Sequence, residues 1–351
     1  MSAPDGTTAA APLRVGVIGT GRIGRLHAEL LARRVAGAHV AMVYDRHMAS
    51  ALAAADDLGV PVAASADELI GSAQVDAVAI CTSTDTHVDL ILAAAAAGKA
   101  IFCEKPVSLD LEAVDTALDA VASARLTFQI GFNRRFDPAH AAVRAAVVDG
   151  TVGEAHLVRI TSRDPEPPPL DYVRTSGGIF LDMTIHDFDM ARFVTGSEVV
   201  AVSAHGALRI RPEFAQAGDV DTAIVTLEHA DGCLTAIDNS RQAPYGYDQR
   251  VEVHGARGMA ASENPLEHTA LVRSAAGTET APLPHFFLDR YTPAYVAQWE
   301  AFVTACRTGA PGTPGLADAR APLVIGLAAL RSRTERRRVE IAEIEAEVVA
   351  R

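Results

Sequence analysis

Apolar residues follow two different rhythms along this chain. In the first third they come as short unbroken runs, Leu13–Ile18, Val40–Tyr44, Ala77–Cys81, Ile101–Cys103 and Phe128–Ile130. Between the runs lie stretches of helical spacing, about Arg22–Val35, Val88–Ala97 and Leu111–Ala124. Strands without polar alternation are buried on both faces. The pattern therefore predicts an α/β, doubly wound domain over residues 12–131, a parallel sheet covered by helices. Beyond it, over residues 132–351, the runs Ala155–Thr161, Val199–His205, Ala223–His229, Leu234–Asn239 and Arg250–His254 alternate, and Asp231-Gly232 supplies hairpin chemistry. An α+β domain with a large, mostly antiparallel sheet follows, with helices near Phe180–Val194, Pro293–Arg307 and Leu316–Arg333. Pro165-Glu166-Pro167-Pro168-Pro169 cannot donate to a sheet ladder and reads as a stiff loop, and Gly309–Gly315 as a Pro/Gly loop.

Composition narrows the function classes. The 351 residues suggest two domains, and 49% hydrophobic with 21% charged residues fits an ordinary globular chain. A formal net charge of −13 gives no counterion-release affinity for nucleic acid or an anionic membrane, so neither is expected as a partner. Residues 1–11 lack a basic start ahead of an apolar core and read as a flexible tail rather than a secretory signal. No apolar run reaches bilayer length. Cys81, Cys103, Cys233 and Cys306 form no close pair, which suggests neither a metal cluster nor a disulfide framework and makes a reducing, cytoplasmic setting the default.

Leu13–Ile18 leads into Gly19-Thr20-Gly21-Arg22-Ile23-Gly24 and then a helix. That spacing is informative only in this context, strand before and helix after. The glycines let the backbone turn and approach a pyrophosphate, whose charge the helix N-terminus favours. Asp45, 21 residues after Gly24, can accept the adenosine ribose hydroxyls and repel a 2′-phosphate, which favours NAD. Arg46 beside it leaves NADP open. Thr82, Ser83 and Thr84 follow a strand end and can touch the cofactor; His87 either does so too or orders the loop.

Two features carry chemistry. Glu104-Lys105-Pro106 follows the Ile101–Cys103 strand directly. An ammonium at a strand's carboxyl end can hold a substrate oxygen and stabilise a developing alkoxide; the plain alternative is a surface lysine. Pro106 makes a fixed turn, cis or trans, at that point. In Gly177-Gly178-Ile179-Phe180-Leu181-Asp182-Met183-Thr184-Ile185-His186, Asp182 and His186 stand four apart on one helix face. A histidine near neutrality can take a hydroxyl proton as hydride leaves the same carbon. Asp182 can orient it or the substrate, and the alternative is a helix-stabilising pair.

Together the glycine loop, Glu104-Lys105-Pro106 and the Gly-Gly-x-x-x-Asp-x-x-x-His run resemble the Gfo/Idh/MocA oxidoreductase family, over nearly the whole chain after the tail. The resemblance implies a Rossmann domain followed by a large-sheet substrate and oligomerisation domain. Gly131–Asp137, Ser162–Pro165, Asp182–Arg192 and Tyr245–Arg250 are similar to the family's inositol-oxidising branch. That implies NAD-dependent oxidation of a ring hydroxyl of a cyclic polyol, myo-inositol first, to the 2-keto-inositol. It also implies Lys105, Asp182 and His186 as the catalytic set, with His186 the base, and Arg134, Asp164 and Tyr247 on substrate hydroxyls. A cyclitol offers many hydroxyls and no charge, so several oriented donors and acceptors are needed, which Asn133, Arg134, Asp164, Asp182 and Tyr247 supply. Hydride transfer to a nicotinamide requires no metal. Scyllo-inositol, an aminocyclitol or a pyranose would suit the same residues. A non-catalytic NAD-binding regulator is the reading from another class. The resemblance further implies a homotetramer whose large sheets pack face to face.

Overall fold

The computed structural model describes residues 11–349; of the expected tail, residues 1–11, all but Ala11 lie outside them. The chain runs β1 (Leu13–Ile18), α1 (Arg22–Arg33), β2 (Ala38–Tyr44), α2 (Met48–Leu58), α3 (Ala66–Gly71), β3 (Ala77–Ile80), α4 (His87–Ala96), β4 (Ala100–Cys103), α5 (Leu111–Ala124) and β5 (Phe128–Ile130). It continues through α6 (Pro138–Val148), β6 (Ala155–Arg163), α7 (Leu170–Ser176), α8 (Ile185–Thr195), β7 (Val199–Ala207), β8 (Thr222–His229), β9 (Leu234–Ser240), β10 (Asp248–Gly255) and β11 (Gly258–Ser262). It ends with β12 (Leu271–Ser274), β13 (Gly277–Thr280), α9 (Phe287–Thr308), α10 (Leu316–Glu335), β14 (Val339–Glu340) and α11 (Ile341–Val349). No helix among the described residues is long and apolar enough to cross a membrane.

Two compact units form, and they are not consecutive blocks of chain. One holds residues up to Ser108, Asp115–Gly131 and Tyr295–Leu316; the other holds Leu109–Val114, Phe132–Ala294 and the chain from Ala317. The late return to the first unit has a plain cause. Trp299, Phe302 and Val303 bury themselves with Val15, Val17, Leu31, Val40, Val43 and Phe102 in one apolar core. A strand-and-helix pattern read along the chain carries no sign of it.

The first unit is a five-stranded parallel sheet in the order β2-β1-β3-β4-β5. A further parallel bridge joins Val62 to Val43 beyond β2. Strand order reverses between β1 and β3, and in such sheets ligands gather beyond the carboxyl ends at that point. The glycine loop and the Thr82–Thr84 segment leave from those two ends.

The second unit is a seven-stranded sheet in the order β11-β10-β6-β9-β8-β7-β14. Every pairing is antiparallel except β6 with β9. Helices α6 and α8 pack on one face. The other face is open, as the alternation in β8 shows: Ala223, Val225 and Leu227 are buried while Ile224 is 58% exposed.

The helix expected over Phe180–Val194 is two elements. Ile179–Met183 form a π-helical turn and α8 begins at Ile185. The Thr184 N–H reaches back five residues to the Ile179 carbonyl (2.8 Å). Its hydroxyl lies 3.1 Å from that carbonyl and 2.6 Å from Asn239 Oδ1, which holds the wide turn against β9. Single π turns of this kind cluster at functional sites.

Candidate active site

In the first unit the glycine loop has the shape a pyrophosphate needs. Gly19 takes φ +92°, and a Cβ there would lie 2.7 Å from the Cys81 carbonyl carbon. A Cβ on Gly24 would sit 1.9 Å from the Gly19 oxygen, so only glycine lets α1 pack so close. Around Gly21 nothing lies within 4 Å of a would-be Cβ. Gly21 caps α1 without a side-chain bond, and the first turn holds no acid. The helix N-terminus thus carries partial positive charge at an open glycine, beside the Thr20 N–H that the Asp45 carboxylate accepts. Arg22 is exposed and Ile23 half-buried at the helix start.

The Asp45 carboxylate ends β2 and is braced toward the loop. Oδ2 accepts the Thr20 N–H (2.7 Å) and hydroxyl (3.2 Å), and Oδ1 accepts the His47 N–H (2.8 Å). Arg46 points outward and is exposed. After β3, the Thr86 hydroxyl donates to Thr82 Oγ1 (2.7 Å), with Ser83 and Thr84 in the same turn. His87 is buried: Nδ1 lies 2.8 Å from the Pro106 carbonyl and Nε2 3.1 Å from the Thr82 carbonyl. Burial lowers its pKa and keeps the ring neutral; the shorter contact marks Nδ1 as donor. His87 therefore ties two loops together.

Glu104 is buried, and its Oε1 lies 2.7 Å from His27 Nε2. The Trp299 indole donates to His27 Nδ1 at 2.9 Å. An indole N–H can only donate, so Nδ1 is the acceptor and Nε2–H donates to Glu104. This line anchors the residue just before Lys105, which is partly exposed and joined to Pro106 by a cis bond. Neither His27 nor Trp299 stands out in the sequence, since their partners lie 77 and 272 residues away.

In the second unit, Gly177 and Gly178 take φ +86° and +76° ahead of the π turn. From Ile179 to Arg192 every residue is buried except Asp182 and His186. The Tyr172 hydroxyl donates to Asp182 Oδ1 (2.8 Å), and Arg241 Nη1 lies 3.6 Å from Oδ2. His186 packs edge-on against Phe132, ring centroids 5.9 Å apart. Asn133 and Arg134 are buried in a short turn at 133–136. Arg134 Nη1 donates to Asp187 Oδ1 (2.8 Å) and to the Ser162 hydroxyl (2.9 Å), and Nη2 lies 3.5 Å from the Tyr247 hydroxyl. Asp187 also accepts from Ser162 (2.6 Å) and Asn239 (2.7 Å). Half of the Arg134 fork is therefore spent on this buried network, and the other half faces Tyr247. Asp164, just beyond β6, is pushed up to about 6 by burial and by the nearby carboxylates of Asp182 and Asp187, against the cations of Arg241 and Arg134. Tyr172, Arg241, Ser162, Asp187 and Asn239 were not candidates on sequence grounds. Tyr172 reaches Asp182 ten residues on, and the others join through partners at least 25 residues away.

A doubly wound sheet with this glycine loop, joined to a second unit that presents an Asp and a His from one buried run, defines a two-unit dinucleotide-dependent oxidoreductase. Comparison with known proteins agrees. The chain belongs to the Gfo/Idh/MocA oxidoreductase family: residues 13–132 match its NAD-binding Rossmann-fold model and residues 140–261 its C-terminal domain. NAD is the cofactor of the first unit. The chain is 47% identical over 330 residues to inositol 2-dehydrogenase of Rhizobium meliloti strain 1021, covering 94% of this chain and 99% of that protein. Among solved structures it is similar to a probable dehydrogenase from Thermotoga maritima, with a TM-score of 0.93 at 44% identity, covering 95% of this chain and 100% of that one. It is also similar to scyllo-inositol dehydrogenase from Lactobacillus casei with bound NAD(H) and scyllo-inositol, with a TM-score of 0.88 at 30% identity over 94% and 99% of the two chains.

Proposed function

We propose that this enzyme oxidises a ring hydroxyl of a cyclic polyol, myo-inositol first, to the 2-keto-inositol. The observation that carries the reading is the burial of the run from Ile179 to Arg192 around two side chains that stay partly exposed, Asp182 and His186. A carboxylate and an imidazole four residues apart, partly exposed in an otherwise buried segment, suit proton removal from an uncharged ligand. The nearness of inositol dehydrogenases in sequence supports the same substrate class.

In this reading Gly19, Gly21, Arg22, Ile23 and Gly24 hold the pyrophosphate, and Asp45 and Arg46 flank the adenosine ribose. Thr82, Ser83, Thr84 and Glu104 line the remainder of the NAD site, with His87 ordering it. NAD, when bound there, would supply the acceptor for the hydride of the carbinol carbon. His186 takes the hydroxyl proton, so that the C–O bond becomes a carbonyl. Lys105 steadies the oxygen as charge builds on it, and Asp182 orients the reacting hydroxyl. Asn133, Arg134, Asp164 and Tyr247 bind the other ring hydroxyls. The second unit then serves as substrate and oligomerisation domain of a cytoplasmic homotetramer, acting in cyclitol catabolism. The four free thiols suit a reducing compartment. The test is NADH absorbance with inositol isomers and pyranoses, NAD and NADP in parallel. Turnover of myo-inositol with NAD supports the reading. A preference for scyllo-inositol or a pyranose transfers it to that substrate, and no turnover with any polyol removes it.

A further inference from the structure

We infer that Arg241 is a positioning residue for this reaction, holding the Asp182 carboxylate against the start of its own π turn. The inference rests on the proposed role of Asp182. Arg241 follows the end of β9, where its N–H bonds the Asp221 carbonyl (2.9 Å). Its side chain is 2% exposed, among the most buried large groups of the protein. The guanidinium bridges two carboxylates: Nη1 is 3.6 Å from Asp182 Oδ2, and Nη2 is 3.8 Å from Asp219 Oδ2. Asp219 in turn accepts the Ile179 N–H through Oδ1 (3.0 Å), the first N–H of the turn that carries Asp182. The opposite oxygen of Asp182 is held by Tyr172. Asp182 is thus gripped from two sides, one of them tied to its own backbone.

A further fact argues against a plain structural ion pair. Such pairs in a protein interior are close and well hydrogen-bonded, because removing charges from water is otherwise uncompensated. Here, among the described residues, Arg241 Nε and Nη2 are buried with no hydrogen-bond acceptor, and Asp219 Oδ2 is buried with no donor. Catalytic contacts in ligand-free enzymes are often long in this way and tighten in the substrate complex. The charges facing Arg241 are Asp164, Asp182 and Asp219, together with the Tyr172 hydroxyl. Tyr172 is raised above its ordinary range and stays neutral, so the guanidinium acts on three carboxyl groups. The cation lowers the proton affinity of Asp164; removing it raises that affinity, and the acidic limb of the rate profile moves to higher pH.

The test compares wild type, R241M and R241K as full-length enzymes across pH 5–9, with myo-inositol and saturating NAD. R241M should move the acidic limb of kcat/KM up by about one pH unit and lower kcat about tenfold at pH 7, with KM for NAD within about twofold of wild type. R241K keeps the charge but not the fork, so its limb should stay while kcat falls about fivefold. A folded R241M with the wild-type limb overturns the inference. So does R241K with wild-type kcat, which holds even where R241M fails to fold. Carboxyl ¹³C titration of aspartate-labelled wild type and R241K, with R241M where it folds, gives a readout free of turnover. Asp164 should titrate near 6 in wild type and R241K and higher in R241M; the same value in R241M overturns the inference. Absence of turnover in wild type refutes the substrate reading alone.

Discussion

Asp164, proposed above to bind substrate, shows how a buried carboxyl can cost stability. In the unfolded chain an aspartate titrates near 3.9, whereas here the folded value is pushed up to about 6, first by burial. A carboxyl raised on folding favours the native state while it is protonated. That contribution is full below about pH 4 and is lost as pH rises through about 6. Near pH 8 the folded protein therefore carries a penalty of about 1–2 kcal/mol at this residue, the shift being discounted for partial exposure. Asp164→Asn should melt about 2–5 °C higher than wild type at pH 8 and together with it at pH 4. Calorimetry at the two pH values checks this, and equal melting at pH 8 would show the carboxylate to be well accommodated. Loss of cyclitol turnover in the same variant would give the strain its functional reason.

At the scale of elements, the β1–α1 join and the π turn before α8 carry the site. Both depend on crowded glycines, Gly19 and Gly24 at the first and Gly177 and Gly178 at the second. Gly24→Ala would place a methyl 1.9 Å from the Gly19 oxygen, so the loop must move away from α1. NAD affinity should then fall at least about tenfold, read by calorimetric titration, because the loop and helix N-terminus lose their shared alignment. Unchanged affinity would detach this loop from the cofactor. The strand–glycine–helix order was legible in the sequence because strand period, turn chemistry and helix start are all local. Asp137 followed by Pro138 is another local signal. Asp137 caps α6 by accepting from the Ala139 and His140 N–H groups, with proline at the helix start, a standard opening.

For the whole molecule, the open face of the large sheet matters most. The register aligns Met259, His254, Leu157, Leu234 and Glu228 in one row across five strands. Met259 is 57%, Leu234 50% and Ile224 58% exposed on that side. Exposed apolar side chains set among polar ones on a sheet face are what the proposed homotetramer would cover with a second copy. Light scattering should give four chains for wild type and a smaller assembly for Ile224→Glu, which buries a charge at the contact. A wild-type monomer would reject the tetramer, and an unchanged mass in the variant would move the contact elsewhere.

What the sequence determined by itself was everything set by near neighbours along the chain. Unbroken apolar runs made the parallel sheet, alternation made the antiparallel one, and the glycine loop, Lys105-Pro106 and the Asp182–His186 spacing stood in plain view. Only the tertiary structure decided the rest. It drew residues 295–316 back into the first unit, set Trp299 on His27 and His27 on Glu104, turned the expected helix at Asp182 into a π turn, and brought Arg241 beside that carboxylate. These depend on contacts between residues tens to hundreds of positions apart. Burial and charge pairing act on distance in space, and a one-dimensional pattern does not record it.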